Sequence, residues 1–435
     1  MSLIKNKTKY ESLTKIKLST LLLVSFVILM IASSTIYSLT FFVGLTNEVK
    51  LIRFLILILF FGVGISFLFY KKKMLWNASI ASFVCLLFVG SITTILLNEP
   101  REYLPSLTRY VLYILTANVF FMLSSTIGSK KINLFFKRLA QLFLTISILF
   151  GFHEILTGQV EYINGDFRVA GPFKKHQLAF AMFLFVNLVL HVEFNLRMEK
   201  NNIRKVFNYI LFLLSFYLLL RTGSRALIII FFLSYFALHI FNAKSFRYIF
   251  KTILTGILIA SMFVAIVATT NISPRLKYMF TSGETIYDPS TMTRILIITN
   301  SIGAFEREYW PFGIGIGGFN NFYLNTTGRD HVAAHNNYLL FLIESGIIGL
   351  IIFLIYQIVT FYIFLKLVRR KPNAITRSAF LLYIGIDVLC FLQNNYYFFT
   401  QESIVWMIYG VAFYLNRRDF VEYESEISKN TVLLS

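Results

Sequence analysis

The sequence predicts an all-α, polytopic integral membrane protein with about twelve transmembrane helices and one large extracytoplasmic loop that carries short helices. Three observations carry that class. Apolar residues make up 57% of the 435 residues and charged residues only 14%, against about a quarter in soluble domains. Apolar runs recur along the chain, many close to the ~20 residues that cross a hydrocarbon core as a helix. Basic residues concentrate in alternate gaps between those runs, as cytoplasmic loops require.

The runs fall at 18–44, 51–70, 75–97, 107–123, 139–156, 178–194, 206–220, 226–241 and 253–269, then at 346–365, 379–392 and 404–415. The first is too long for a removed signal peptide and is not followed by a small-residue cleavage site, so it reads as an anchor. This divides the chain into a cytoplasmic tail (1–17), nine spans (18–270), a large outer loop (271–345), three spans (346–416) and a second cytoplasmic tail (417–435). Lys71 to Lys73, Lys130, Lys131, Lys137, Arg138, Arg197, Lys200, Arg204, Lys205, Lys244, Arg247, Lys251, Lys366, Arg369, Arg370, Lys371 and Arg377 all fall in inner gaps, and both tails are basic. Both termini are therefore expected inside. Topology accounts for most of the +20 net charge, so the charge is not a nucleic-acid footprint.

The other basic residues fall on the outer side, where topology gives no reason for them. Arg221 and Arg225, in Arg-Thr-Gly-Ser-Arg, occupy a tight outer turn, and their spacing brings the guanidinium groups together if the turn is helical. Two such groups at one membrane edge repel unless an anion sits between them, and their donor forks match phosphate oxygens. Arg168, Lys174 and Lys175 surround Gly171-Pro172 in the loop leading into the sixth span. That loop is either a clamp for an anionic lipid head or a solvated hairpin.

The outer loop holds the remaining signals. The stretch 291–305 reads as an amphipathic helix lying against the membrane face, with Arg294, Ile298 and Ile302 one turn apart. Gly313-Ile-Gly-Ile-Gly-Gly318 looks like a dinucleotide loop but has no βαβ context, so its glycines instead permit tight turns or close backbone approach. His331 and His335 share a face at i and i+4, without a visible third ligand for a metal. His335-Asn336 precedes Gly346-Ile-Ile-Gly349 and puts a titratable imidazole where an outer loop meets a span. Glu344 lies on the same approach, Asp387 is a carboxylate inside a span that needs a partner, and a site arginine is one such partner. Cys85 and Cys390 fall within spans and are expected to be free, buried thiols.

About twelve spans, the Arg168-Val-Ala-Gly-Pro-Phe173 loop, Ser224-Arg225 opening a span, Arg294 in the long outer loop and His335-Asn336 with its Gly346/Gly349 pair together resemble the O-antigen ligase and O-antigen polymerase superfamily. The sequence departs mildly from that pattern at Ile229, where leucine is frequent, and at Leu350, where threonine is. The resemblance implies glycosyl transfer from an undecaprenyl-pyrophosphate-linked oligosaccharide at the outer face of the cell membrane, with neither metal nor nucleotide cofactor. It implies that His335, Arg225 and Arg294 are catalytic. Arg221, Arg168, Lys174, Lys175, His331 and Asn336 are expected to bind substrate. Membrane lipids, a flippase and a chain-length regulator are the partners it suggests.

Residue chemistry fits that reaction. Attack of a sugar hydroxyl on an anomeric carbon expels pyrophosphate, whose growing negative charge fixed arginines stabilise. His335 either takes the hydroxyl proton, orients the acceptor, or only caps the helix after it. Three functions follow: a polysaccharide polymerase, a ligase delivering glycan to lipid A core or another acceptor, and a transporter of the same lipid-linked sugar. The transporter would show inverted repeats, which the sequence lacks. The aromatic set Tyr278, Tyr287, Tyr309, Trp310, Phe319, Phe322 and Tyr323 favours the polymerase, because such rings stack on the sugars of an extended chain.

Overall fold

The computed structural model describes residues 77–96, 103–163, 166–173, 177–243, 245–269, 289–329, 334–390 and 403–417, together with the single positions Gly62 and Lys277. The first two predicted spans lie outside the described residues. Each later predicted span is occupied by helix. In chain order these are α1 (Ala78–Leu96), α2 (Tyr103–Ile127), α3 (Ser129–Leu156), α4 (Gln177–His191), α5 (Asn202–Arg221), α6 (Arg225–Phe241) and α7 (Phe246–Thr269). The outer loop supplies α8 (Pro289–Ala304) and α9 (Phe319–Thr327); α10 (Asn337–Arg370), α11 (Ala374–Leu382) and α12 (403–417) complete the described helices. Among the described residues, seven helices are long and apolar enough to cross a membrane, and α6 is a shorter apolar helix of 17 residues. The chain is an integral membrane protein.

Burial follows composition. Every residue of α4 from Ala179 to His191 is buried, as expected of a helix that is apolar all round. Neighbours α3, α5, α6 and α11 surround it. On α10 the buried stripe Gly349, Phe353, Tyr356, Gln357, Thr360, Phe364 and Leu367 packs towards α1, whose Ser79 hydroxyl meets that of Thr360 at 2.6 Å. The opposite stripe of α10 exposes Ile347, Ile348, Ile351, Leu354, Ile355 and Ile358, a surface suited to lipid tails. Cys85 and Cys390 are free thiols, but only Cys390 is buried; Cys85 is exposed on α1, contrary to expectation.

Helix ends sort into two sides. At one, Lys137 pairs with Glu199 at 2.7 Å, Arg377 with the buried Glu193 at 2.7 Å, and the Arg369 Nε donates to the Phe241 carbonyl. Arg197 approaches the same Glu193 at 3.6 Å, so a buried carboxylate is held between two cations rather than left uncompensated. At the other side the loop before α4 meets the α5–α6 turn, and the loop before α9 meets α1. The one sheet among the described residues is a hairpin of two three-residue strands, β1 (Glu161–Ile163) and β2 (Asp166–Arg168), on that second side.

Candidate active site

The helix bearing the glycine pair begins earlier than its apolar run suggests. Asn336 caps α10 by accepting the Leu339 N–H at 3.0 Å, so the helix starts nine residues before the predicted span. At Gly346 the backbone leaves helical geometry (φ 67°, ψ −168°) and then resumes. A break inside an apolar helix leaves carbonyls and N–H groups that must find partners. The glycine-rich loop supplies them. Ile314 and Gly315 N–H groups donate to the Ile343 and Glu344 carbonyls, both at 2.9 Å, while the Ile347 and Ile348 N–H groups donate to Trp310 and Pro311. Thr93 of α1 donates to the Phe312 carbonyl at 3.0 Å and ties the loop to the bundle.

That fit explains the glycines. A Cβ at Gly346 would overlap the Pro311 carbonyl oxygen, and one at Gly313 (φ 73°) would meet the backbone at Glu344 and Ser345. Close backbone approach to a neighbouring helix is thus the use of this segment.

A small second core holds two of the predicted catalytic residues together. Ile297 and Phe305 from α8, Phe319 and Tyr323 from α9, Ala334, and Leu339, Leu340 and Ile343 from α10 pack into one cluster. Ile297 lies one turn from Arg294, and Ala334 adjoins His335. The buried face of α8 is Ile297 and Ser301, with Arg294 half-buried one turn before them, whereas Ile302 is exposed. Arg294 therefore looks into the protein beside His335 instead of sharing a stripe with Ile302.

His335 itself is unusual. Its φ of 50° is the one positive value at a non-glycine among the described residues, a conformation that costs free energy and is kept where surrounding structure enforces it. Burial, and then the positive charge of Arg294, hold its imidazole below the ordinary value of 6.5. The neutral form, which can accept a proton, therefore predominates at neutral pH. Removing the cation raises the imidazole pKa towards 6.5. In an Arg294→Met variant, the fall of rate on acidification should begin at higher pH than in the parent, alongside a lower maximal rate; rate–pH profiles of the two proteins check this.

The basic outer turn is built differently from its expected form. Helix α5 ends at Arg221, Gly223 takes φ 70°, and α6 starts at Arg225, so the two arginines close a hairpin rather than share a helical face. The Arg168 side chain lies on Gly223, where an added Cβ would meet its Cδ and Nε at 3.1 Å, and the Val169 N–H donates to the Arg221 carbonyl at 3.0 Å. The loop before α4 thus sets Arg168 against the turn that carries Arg221 and Arg225. Buried Glu154 accepts the Ala170 and Gly171 N–H groups at 3.0 and 2.6 Å and so fixes that loop. Ser224 makes no side-chain cap on α6, so the helix N-terminus, with its partial positive charge, adds to Arg225.

The other two carboxylate candidates part company: Glu344 lies at the second core, whereas Asp387 is held within the bundle. Glu344 is buried and accepts the Phe319 N–H at 3.4 Å, at the start of α9. Asp387 accepts from the hydroxyls of Tyr356 at 3.2 Å and Tyr409 at 3.1 Å, and Tyr383 donates to Gln357 beside them. These tyrosines, not a site arginine, are the partners seen for that carboxylate; polar tips within apolar runs were the sequence signal for them. Phe319 and Tyr323 stack on each other at 6.0 Å inside the second core, so they are closed to a sugar. Lys174, Lys175, His331, Tyr278 and Tyr287 lie outside the described residues.

No curated protein matches the chain. A family model described as O-antigen ligase matches residues 210–354, about a third of the length, from α5 through Arg221, Arg225, Arg294 and His335 into α10. Over those residues the chain is similar to the O-antigen ligase family, and the match includes the segments that carry Arg221, Arg225, Arg294 and His335.

Proposed function

We propose that the protein is a membrane glycosyltransferase that moves a growing glycan from undecaprenyl pyrophosphate onto a hydroxyl of the next lipid-linked repeat unit. The reaction takes place at the outer face of the cell membrane, and both termini lie in the cytoplasm. The observation that carries this reading is that His335 and Arg294 flank one small core, close enough for the Arg294 charge to act on the imidazole. They occupy the same side of the bundle as Arg168, Arg221 and Arg225. The acceptor oxygen forms a bond to the anomeric carbon, the bond from that carbon to the pyrophosphate oxygen breaks, and the acceptor proton passes to neutral His335. The arginines and the α6 N-terminus balance the charge gained by the leaving pyrophosphate.

Lys137, Arg197, Arg369 and Arg377 gather at the opposite side, which we place in the cytoplasm by the excess of positive charge. The residues that would serve the transfer need no bound cofactor in this scheme. Burial of Phe319 and Tyr323 removes two of the rings that favoured an extended glycan acceptor, and this favours a second reading, a ligase with a different acceptor.

The purified protein, given the host's undecaprenyl-pyrophosphate-linked repeat unit alone, should form a ladder of products, and His335→Ala and Arg225→Ala should each lose it. Transfer only to an added acceptor would establish the ligase instead. Unchanged substrate under both conditions would sink the transferase and leave transport.

A further inference from the structure

We infer that α8 is an interfacial helix, with one face immersed in the outer leaflet while the other presents Arg294 to the site. Projected on a helical wheel at about 100° per residue, its surface divides into three zones. Ile297 and Ser301 are buried, with Arg294 half-buried on the same side. Opposite them Met292, Ile295, Leu296 and Ile302, 38 to 55% accessible, form an exposed, mainly apolar stripe in which the exposed Thr299 is the one polar side chain. Thr293 and Asn300, also exposed, run along one flank of that stripe. A helix in free solution has no use for the stripe, and one crossing the hydrocarbon core would not keep a polar flank. A helix lying in the plane of the interface satisfies all three zones.

Continuity identifies the occupant. The segment after α8 leads to Phe312, 54% exposed, which is pinned beside the break in α10 by the bonds from Ile347 and Ile348 to Trp310 and Pro311. Ile347 and Ile348 begin the outward stripe of α10 that continues through Ile351 and Ile355. The apolar surface of the outer loop therefore adjoins the lipid-facing surface of a membrane-spanning helix. A second copy of the chain fits less well. A 16-residue helix is ~24 Å long, and a stripe ~10 Å wide offers on the order of 240 Å² per partner, against ~800 Å² in a stable interface.

The test uses the full-length protein in lipid nanodiscs, with Cys85→Ser so that buried Cys390 is the only native thiol remaining. Single cysteines replace Met292, Leu296, Ile302, Thr293, Asn300 and, as an exposed reference on α9, Asn325; each carries a nitroxide label. Collision with dissolved oxygen should exceed collision with a water-soluble nickel chelate at least severalfold at 292, 296 and 302, and the preference should reverse at 293, 300 and 325. All are surface positions, so the fold tolerates the labels, and the alternation along one helix is an internal control. Nickel contact along the stripe would overturn the inference by showing it faces water. Labels shielded from both reagents would overturn it by showing that another segment or a second copy covers the face.

Discussion

His335→Ala should lower the rate of glycan transfer by about 10²- to 10⁴-fold while the protein remains folded and still binds the lipid-linked donor. The effect is large because the imidazole is placed, not merely present. It is half-buried, held neutral by burial and by Arg294, and locked at φ 50° between the second core and the Asn336 cap. The substitution leaves that cap and the basic turn in place. A purely structural histidine would give a different pattern, because its loss would lower thermal stability and donor affinity together. Measuring the transfer rate at saturating donor, donor binding and the unfolding temperature of the same preparation distinguishes the two. His335→Asn is the companion variant: asparagine tolerates the left-handed conformation yet cannot act as a base, so it should remain stable and inactive.

Gly346→Ala should be the most damaging substitution of stability in the outer half of the molecule, costing on the order of 3–5 kcal/mol. Two effects coincide there. The backbone sits at φ 67° and ψ −168°, a region open essentially to glycine alone, and the new methyl group would press on the Pro311 carbonyl. Relief requires the loop to withdraw, which would strand the carbonyls of Ile343 and Glu344 and the N–H groups of Ile347 and Ile348. Activity should fall with stability, because the same loop leads into α9 and the core under His335. Gly303→Ala is the control: that position is helical and exposed with nothing within 4 Å, so alanine should stabilise by ~0.5–1 kcal/mol. Thermal unfolding in detergent reads both.

Periodicity and charge made the membrane class and the later spans legible, since a helix that faces lipid or a packed core must be apolar over a fixed length. They were blind to the break in α10. The run after Gly346 is apolar and the residues before it are also largely apolar, so hydropathy alone starts the span at the glycine, whereas the backbone bonds to residues 310–315 extend the helix to Asn337 and interrupt it. The glycine-rich segment signalled close backbone approach but not its partner, because that partner comes from 29 to 37 residues further along the chain. Residue chemistry singled out Arg294 and His335 as candidates, yet the orientation of Arg294 depends on which face of α8 the second core takes up. Phe319 and Tyr323 illustrate the reverse error: aromatic rings in an outer loop suit sugars, but these two fill the core of the loop itself. The link between Arg168 and Gly223 is a contact between distant segments that no local pattern encodes.

Whether this site breaks a sugar–pyrophosphate bond in order to make a glycosidic one is read by counting both products in one reaction. Purified protein in lipid is supplied with undecaprenyl-pyrophosphate-linked glycan, and free undecaprenyl pyrophosphate and new glycosidic bonds are quantified over time. One carrier should be released for each bond formed, with both appearing together and both lost in His335→Ala. Carrier released without a matching bond, or donor that crosses the membrane unchanged, would contradict it.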